Sequence, residues 1–193
     1  EFFQIRNPKS QFPNSPKEHR MPRGADTSLL EKALEGARLL YAYTMYVNAP
    51  LDMVFRFTGD PAYWSHDFDG KPLPNLALEW EGSPFRPGSI MMLSARRKDG
   101  TLSSVGAVRM ELLYFERDVE LSYRYLTGSH LIYRFVYEDA GVRGTEFTVN
   151  ALVDAQSPPL NTLRQRLYTK RRRKQAIQDH LRVKGELEAR ARR

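Results

Sequence analysis

The chain has no cysteine among its 193 residues. Disulfides, thiolate nucleophiles and cysteine-based zinc sites are thereby excluded, although the compartment is not fixed by that absence. It also lacks any run of about 18 uncharged apolar residues, so no conventional membrane-spanning helix is expected. The N-terminal stretch has no apolar signal-peptide core, so secretion by that route is not indicated, and a cytoplasmic place is expected. There is no phosphate-binding glycine loop, no nucleophile elbow and no His/Glu zinc spacing. The expectation is therefore of no cofactor and no metal.

What is present is a soluble-type composition and an uneven charge. The formal net charge is +7. From Asn161 to Arg193 there are 12 Lys and Arg against 3 Asp and Glu, so this segment carries +9 and the remainder −2. A polyanion partner would meet that C-terminal segment first. Its most basic part is the run Lys170, Arg171, Arg172, Arg173 and Lys174.

Residues 1–24 carry four prolines and no periodicity, and read as an extended or disordered leader with Met21 a natural start. Residues 25–193 read as a single domain with its core over 41–188. Leu29, Leu30, Ala33, Leu34, Ala37 and Leu40 fall at helical spacing after Asp26-Thr27-Ser28, any of which could cap a short helix. Tyr41 to Asn48 reads as a strand, Pro50 opens the helix Leu51–Asp60, and the stretch from Pro61 to Phe68 gives a second short helical turn. From Leu76 to Asp154 the pattern alternates with period 2 between turn signals, giving six or so more antiparallel strands. From Leu160 onward no proline or glycine interrupts the chain until Gly185. Apolar residues at 160, 163, 167, 177, 181 and 187, with Ala176 alongside, mark one long amphipathic helix, roughly 40 Å long.

That order is an α+β helix-grip layout: a curved antiparallel sheet of six to seven strands around a long C-terminal helix, with a cavity between them. The text supports it. YVNAPLDMVFRFTGDPAYW resembles the opening of the START-like polyketide cyclase/dehydrase and lipid-transport superfamily. RPGSIMML resembles its strand entry, and GVRGTEFTVNALVD its last turn and strand. The resemblance implies a hydrophobic, aromatic or polyketide- or lipid-like small molecule held in the cavity. It also leaves open an enzyme of the cyclase/aromatase kind, a lyase or isomerase, and a branch that touches RNA, ribosomes or membranes.

Alternation sorts the strand residues into two faces. Val119, Leu121, Tyr123, Tyr125, Leu131, Tyr133, Phe135, Tyr137, Phe147, Val149 and Ala151 fall on the inner one. In β-strand 108–115, Val108, Met110, Leu112 and Tyr114 are expected to share a face. Nine of the ten tyrosines lie between Tyr41 and Tyr137, which suits a pocket for a flat, partly oxygenated ligand. The alternative is a solid core whose hydroxyls reach solvent. Ligand contacts are expected from Tyr43, Trp64, Trp80, Met110, Tyr125, Tyr133, Phe135 and Phe147, and from Leu163 and Leu167 on the helix.

Three residues are candidates for chemistry: His66, Arg109 and Tyr123. His66 stands beside Asp67 and Asp69, which could orient it as a general base, or all three could form a polar loop. Arg109 and Arg134 could polarise a ligand carbonyl if inward, but alternation places both outward among glutamates, where cross-strand ion pairs are expected. The basic run reads chiefly as a solvated helix back whose long side chains lie over apolar surface, with a polyanion or membrane-surface contact, or a charge at the cavity mouth facing an acidic ligand, as alternatives. Positions 170, 171 and 174 are expected to interrupt the apolar stripe. Monomer and homodimer stay equally open.

Overall fold

The computed structural model describes residues 26–97, 99–103, 106–127, 131–142, 144–155 and 163–192, with backbone only over 163–168. The expected leader over 1–24 lies outside them. In chain order the elements are α1 (Ser28–Leu34), β1 (Arg38–Val47), α2 (Leu51–Thr58), a 3-10 turn (Pro61–Tyr63), β2 (Leu76–Glu81), β3 (Ile90–Ala95), β4 (Val108–Glu116), β5 (Glu120–Tyr125), β6 (Leu131–Asp139), β7 (Thr145–Val153) and α3 (Leu163–Ala191). The seven strands form one antiparallel sheet in the order β1-β7-β6-β5-β4-β3-β2. Only β1 leaves its sequence neighbour. The two helical turns after it carry the chain across to the far edge, and hairpins bring it back to β7, which pairs with β1 from Arg38–Val153 to Val47–Thr145.

The concave face packs under α3. Its floor is Tyr41, Tyr43, Val47, Met110, Leu112, Leu121, Tyr133, Phe135, Phe147, Val149 and Ala151, with Val54 and Phe55 of α2 plugging one end. Each such side chain, fully buried, contributes about 1.5–3 kcal/mol, so this cluster outweighs any single polar contact in the fold. Gly59, just after α2, lets the chain pass over Tyr137. A Cβ there would stand 2.6 Å from the Tyr137 hydroxyl and 2.9 Å from the Phe55 ring.

Three local expectations are corrected. The first helix stops at Leu34 instead of running on to Leu40, because Gly36 takes a left-handed turn (φ +67°) and β1 begins at Arg38. Tyr114 does not share a face with Met110 and Leu112. A bulge between Leu112 and Tyr114 shifts the register, so Tyr114 faces outward while Phe115 pairs with inward Leu121. With Leu113 and Ile132 it forms a second small core, covered by Leu30 and Ala33 of α1. The outer face is therefore only partly wet.

The third correction concerns α3. Its inward stripe runs through Ala176, Ile177, His180, Val183 and Leu187, and Leu181 is 39% exposed. Lys170, Arg171 and Lys174 lie on the solvent side together with Arg172, while Arg173 is half-buried. Positions 170, 171 and 174 do not interrupt the stripe; the basic residue that stands on it is Arg173, with its Nε buried. The stripe is rotated by about one residue from the reading that began at Leu163 and Leu167, and histidine occupies its centre.

Candidate functional site

Between α3, α2 and the inner sheet lies a cavity of about 330 Å³. Leu93 of β3, Val108 and Met110 of β4, Tyr123 and Tyr125 of β5 and Phe135 of β6 make its floor. Phe57, Thr58 and Trp64 close one side, and Asp179, His180 and Val183 form the roof. A wider cleft of about 760 Å³ shares Phe57, Trp64, Leu93 and Asp179 with it and adds Tyr63, His66, Phe68 and Leu76. The shared residues make the cleft the mouth of the cavity.

Period-2 alternation is what brings the rings together. Tyr123, Tyr133 and Phe135 stack with centroids 5.7–6.1 Å apart, Trp64 stands edge-on to Tyr123 at 5.5 Å, and Tyr125 is edge-on to both Tyr123 and Tyr133. Offset and edge contacts of this kind add about 0.5–1.5 kcal/mol per pair to simple burial. The hydroxyls are matched to one another: those of Tyr41 and Tyr133 share a hydrogen bond of 3.2 Å, and Tyr123 bonds Tyr125. Burial pushes the Tyr123 and Tyr41 hydroxyls far above the ordinary phenol value, since a phenolate would be stripped of water there.

His180 is the one imidazole on the inward stripe. Its ring stands edge-on to Phe147 at 5.0 Å and to Phe135 at 6.1 Å, and the Tyr43 hydroxyl bonds its Nδ1. Burial pushes its pKa down to about 4, against a small opposing pull from Asp179. It is neutral at pH 7. Burial also raises Tyr43 well above the usual phenol range, so that hydroxyl keeps its proton.

Of the expected ligand contacts, Trp64, Met110, Tyr125 and Phe135 line the cavity, as does Tyr123. Tyr43, Tyr133 and Phe147 support it from behind through ring contacts and hydrogen bonds. Trp80 lies away from it, packed on Phe85 at 5.3 Å. The side chains of Leu163 and Leu167 lie outside the described residues. His66 borders the mouth, and its Nδ1 lies 3.5 Å from Ser65 Oγ. The carboxylates expected to orient it are engaged elsewhere. Asp67 accepts the amides of Asp69 and Lys71 at 2.9 Å, and Asp69 accepts from Arg190 of α3 at 2.8 Å.

Arg109 is not brought to the cavity. It points outward from β4 and forms a two-pronged pair with Glu81 at 2.8 and 3.0 Å. Arg134 likewise grips Glu120 at 2.7 and 2.8 Å on the outer face. Among the described residues no group of three or more His, Asp or Glu could hold a metal ion, and no helix is long and apolar enough to cross a membrane.

His180 and Asp179 were missed by the sequence reading. The available signal was a helical wheel fitted to 176, 177, 180, 183 and 187, which puts His180 among apolar neighbours; fitting it through Leu181 hides that.

The sequence matches no family model and no curated protein. The fold does have counterparts. Ara h 8.0201 superposes with TM-score 0.53 at 16% identity, over 80% of this chain and 99% of that one. The Zhui aromatase/cyclase from Streptomyces sp. R1128 gives TM-score 0.53 at 16% identity, over 80% and 95%. The di-domain aromatase/cyclase StfQ of the steffimycin biosynthetic pathway gives 0.51 at 12%, over 83% of this chain and 53% of its own. At such identities the likeness is one of fold. The chain has the helix-grip fold, as the resemblance implied.

Proposed function

We propose that the protein binds a hydrophobic, aromatic small molecule in the cavity beneath α3. The observation that carries this reading is a space of about 330 Å³ walled by stacked aromatic rings and reached through a wider mouth. Ligand sites of that size, mostly apolar with a few aimed polar groups, are the common form of small-molecule pocket. Solved structures of the same fold include proteins titled aromatase/cyclases, which accords with a flat ligand. Binding is tested by titrating the protein with naphthalene- and anthracene-type compounds and following Trp64 emission in a Trp80→Phe background. Saturable quenching is expected, and Val183→Phe, which fills the roof without adding a second indole, should abolish it while leaving the far-ultraviolet circular dichroism unchanged. No saturable binding by any of these compounds would sink the reading.

A second reading, turnover of the cyclase kind, is favoured by one observation: a titratable histidine inside the cavity, with Tyr123 nearby. Its weakness is quantitative. A base with a pKa of about 4 lies well below neutral pH, and proton abstraction is most efficient when the two are close. Binding therefore ranks first. A third reading, polyanion contact, is supported by the exposure of Lys170, Arg171, Arg172 and Lys174 on one helix. It predicts retention on heparin that falls steeply with salt, and retention insensitive to salt would remove it. The expectation of a cytoplasmic monomer or homodimer without a cofactor goes with the first reading.

A further inference from the structure

We infer that His180 is the polar anchor of the cavity, its Nε2–H donating to a carbonyl oxygen of a neutral aromatic ketone or quinone. This rests on the cavity reading above and names the ligand's chemistry.

The reasoning begins at Nδ1. Tyr43 is buried and keeps its proton, and among the described residues its hydroxyl has no other hydrogen-bond partner, so that proton finds an acceptor only if the hydroxyl donates and Nδ1 accepts. A neutral imidazole has a single N–H, which must then sit on Nε2. The ring cannot easily turn, because Phe147 and Phe135 hold it edge-on. Among the described residues Nε2 has no hydrogen-bond partner, and it is not among the sealed, unsatisfied atoms. Since His180 lines the cavity, this N–H is offered to whatever fills it.

Two of the hydroxyls at the cavity are engaged: Tyr123 is bonded with Tyr125, and Thr58 Oγ1 lies 2.7 Å from the Val54 carbonyl and 3.0 Å from the Tyr137 hydroxyl. The Trp64 indole, at the side of the cavity, is the other ring N–H among its lining residues. Charge also bears on the ligand. Among the described residues no lysine or arginine lines the cavity, and the one carboxyl there is Asp179. A carboxylate ligand would be desolvated without a counter-charge and would face Asp179. An acceptor without charge is what remains. A pure hydrocarbon would leave the Nε2–H dry and unpaired, which costs about tenfold in affinity.

The test uses three probes on the full chain by calorimetry: 2-acetylnaphthalene, 2-ethylnaphthalene and 2-naphthoate. The ketone should bind about tenfold tighter than the hydrocarbon, with the carboxylate weaker than the ketone. In His180→Leu the ketone preference should vanish while the hydrocarbon still binds. A ketone preference that survives His180→Leu, or a carboxylate that outbinds the ketone, would overturn the inference and leave the cavity reading standing. If neither naphthalene binds, the cavity reading itself fails. Should His180→Leu not fold, the ring nitrogens of the unsubstituted protein still decide: ¹⁵N shifts are expected to show Nε2 protonated and Nδ1 bare, and the opposite tautomer overturns the assignment.

Discussion

On the outer face of the sheet, Arg134 forks onto Glu120, and Arg124 bridges Glu111 at 2.5 Å and Asp154 at 3.0 Å. On the inner face, a few ångströms of backbone away, the Tyr41 and Tyr43 phenols and the His180 imidazole are kept neutral by burial, Tyr41 bonded to Tyr133 and Tyr43 to His180. Both faces bury polar atoms, but one does so with paired ions and the other with neutral donors. The ion pairs lock β4, β5 and β6 together. The neutral set leaves the cavity free of fixed charge apart from Asp179 at its edge, which is what a space meant for an apolar ring system requires.

The largest break in this comparison is expected on the outer face. Glu120 is only 4% exposed, and Glu120→Gln leaves the Arg134 guanidinium facing a neutral amide. A loss of about 3 kcal/mol is expected in urea unfolding, near the lower end for a broken buried pair because Arg134 keeps some contact with water. Replacing both partners by leucine should recover much of it.

On the inner face the comparable effect is conditional on pH. Above pH 6.5 His180 is neutral folded and unfolded, so it adds no pH dependence. As pH falls from 6.5 to about 4 the unfolded chain takes up a proton that the folded one refuses. Stability therefore drops through that window, by about 3 kcal/mol at its acid end. Asp179 faces the ring and moderates the loss, while Tyr43 offers no charge. The check is unfolding at pH 7 and pH 4 for the unsubstituted protein and for His180→Asn, whose difference should shrink as the pH is lowered.

Next in size is Gly59→Ala, which drives a methyl into the Tyr137 hydroxyl and should cost about 1–3 kcal/mol in the same assay. The smallest effect is Arg109→Ala. Its pair with Glu81 is about half exposed on both sides, so a change of at most about 1 kcal/mol and unaltered probe binding are expected. Lost probe binding in Arg109→Ala would place that arginine on the inner side after all.

Much of the architecture was legible in the residues. Alternation over 120–153 assigned Tyr123, Tyr133, Phe135, Phe147 and Val149 to one face, and hairpin signals gave the strand order along the chain. What alternation could not see was the bulge at Leu113, because a single inserted residue changes the phase without changing composition. It sends Tyr114 to the outer core and Phe115 to the inner one. The helix α3 failed differently. Its stripe is sparse, so Leu181 and His180 compete for the same position, and hydropathy alone prefers leucine. Ile177 fits with either, while Leu187 fits only with 180, and that choice is made by the curved sheet, which fixes how the helix is rotated above it.

By itself the sequence determined the strands, the long last helix, the aromatic inner face and the outward ion pairs, because each follows from residue type and period along a few neighbours. Tertiary structure alone decided that Tyr43 meets His180 across 137 positions of chain and that the imidazole is neutral. It also decided that neither Asp67 nor Asp69 serves His66. Those outcomes depend on which side chains share a desolvated space, a property that emerges only when sheet and helix close on each other.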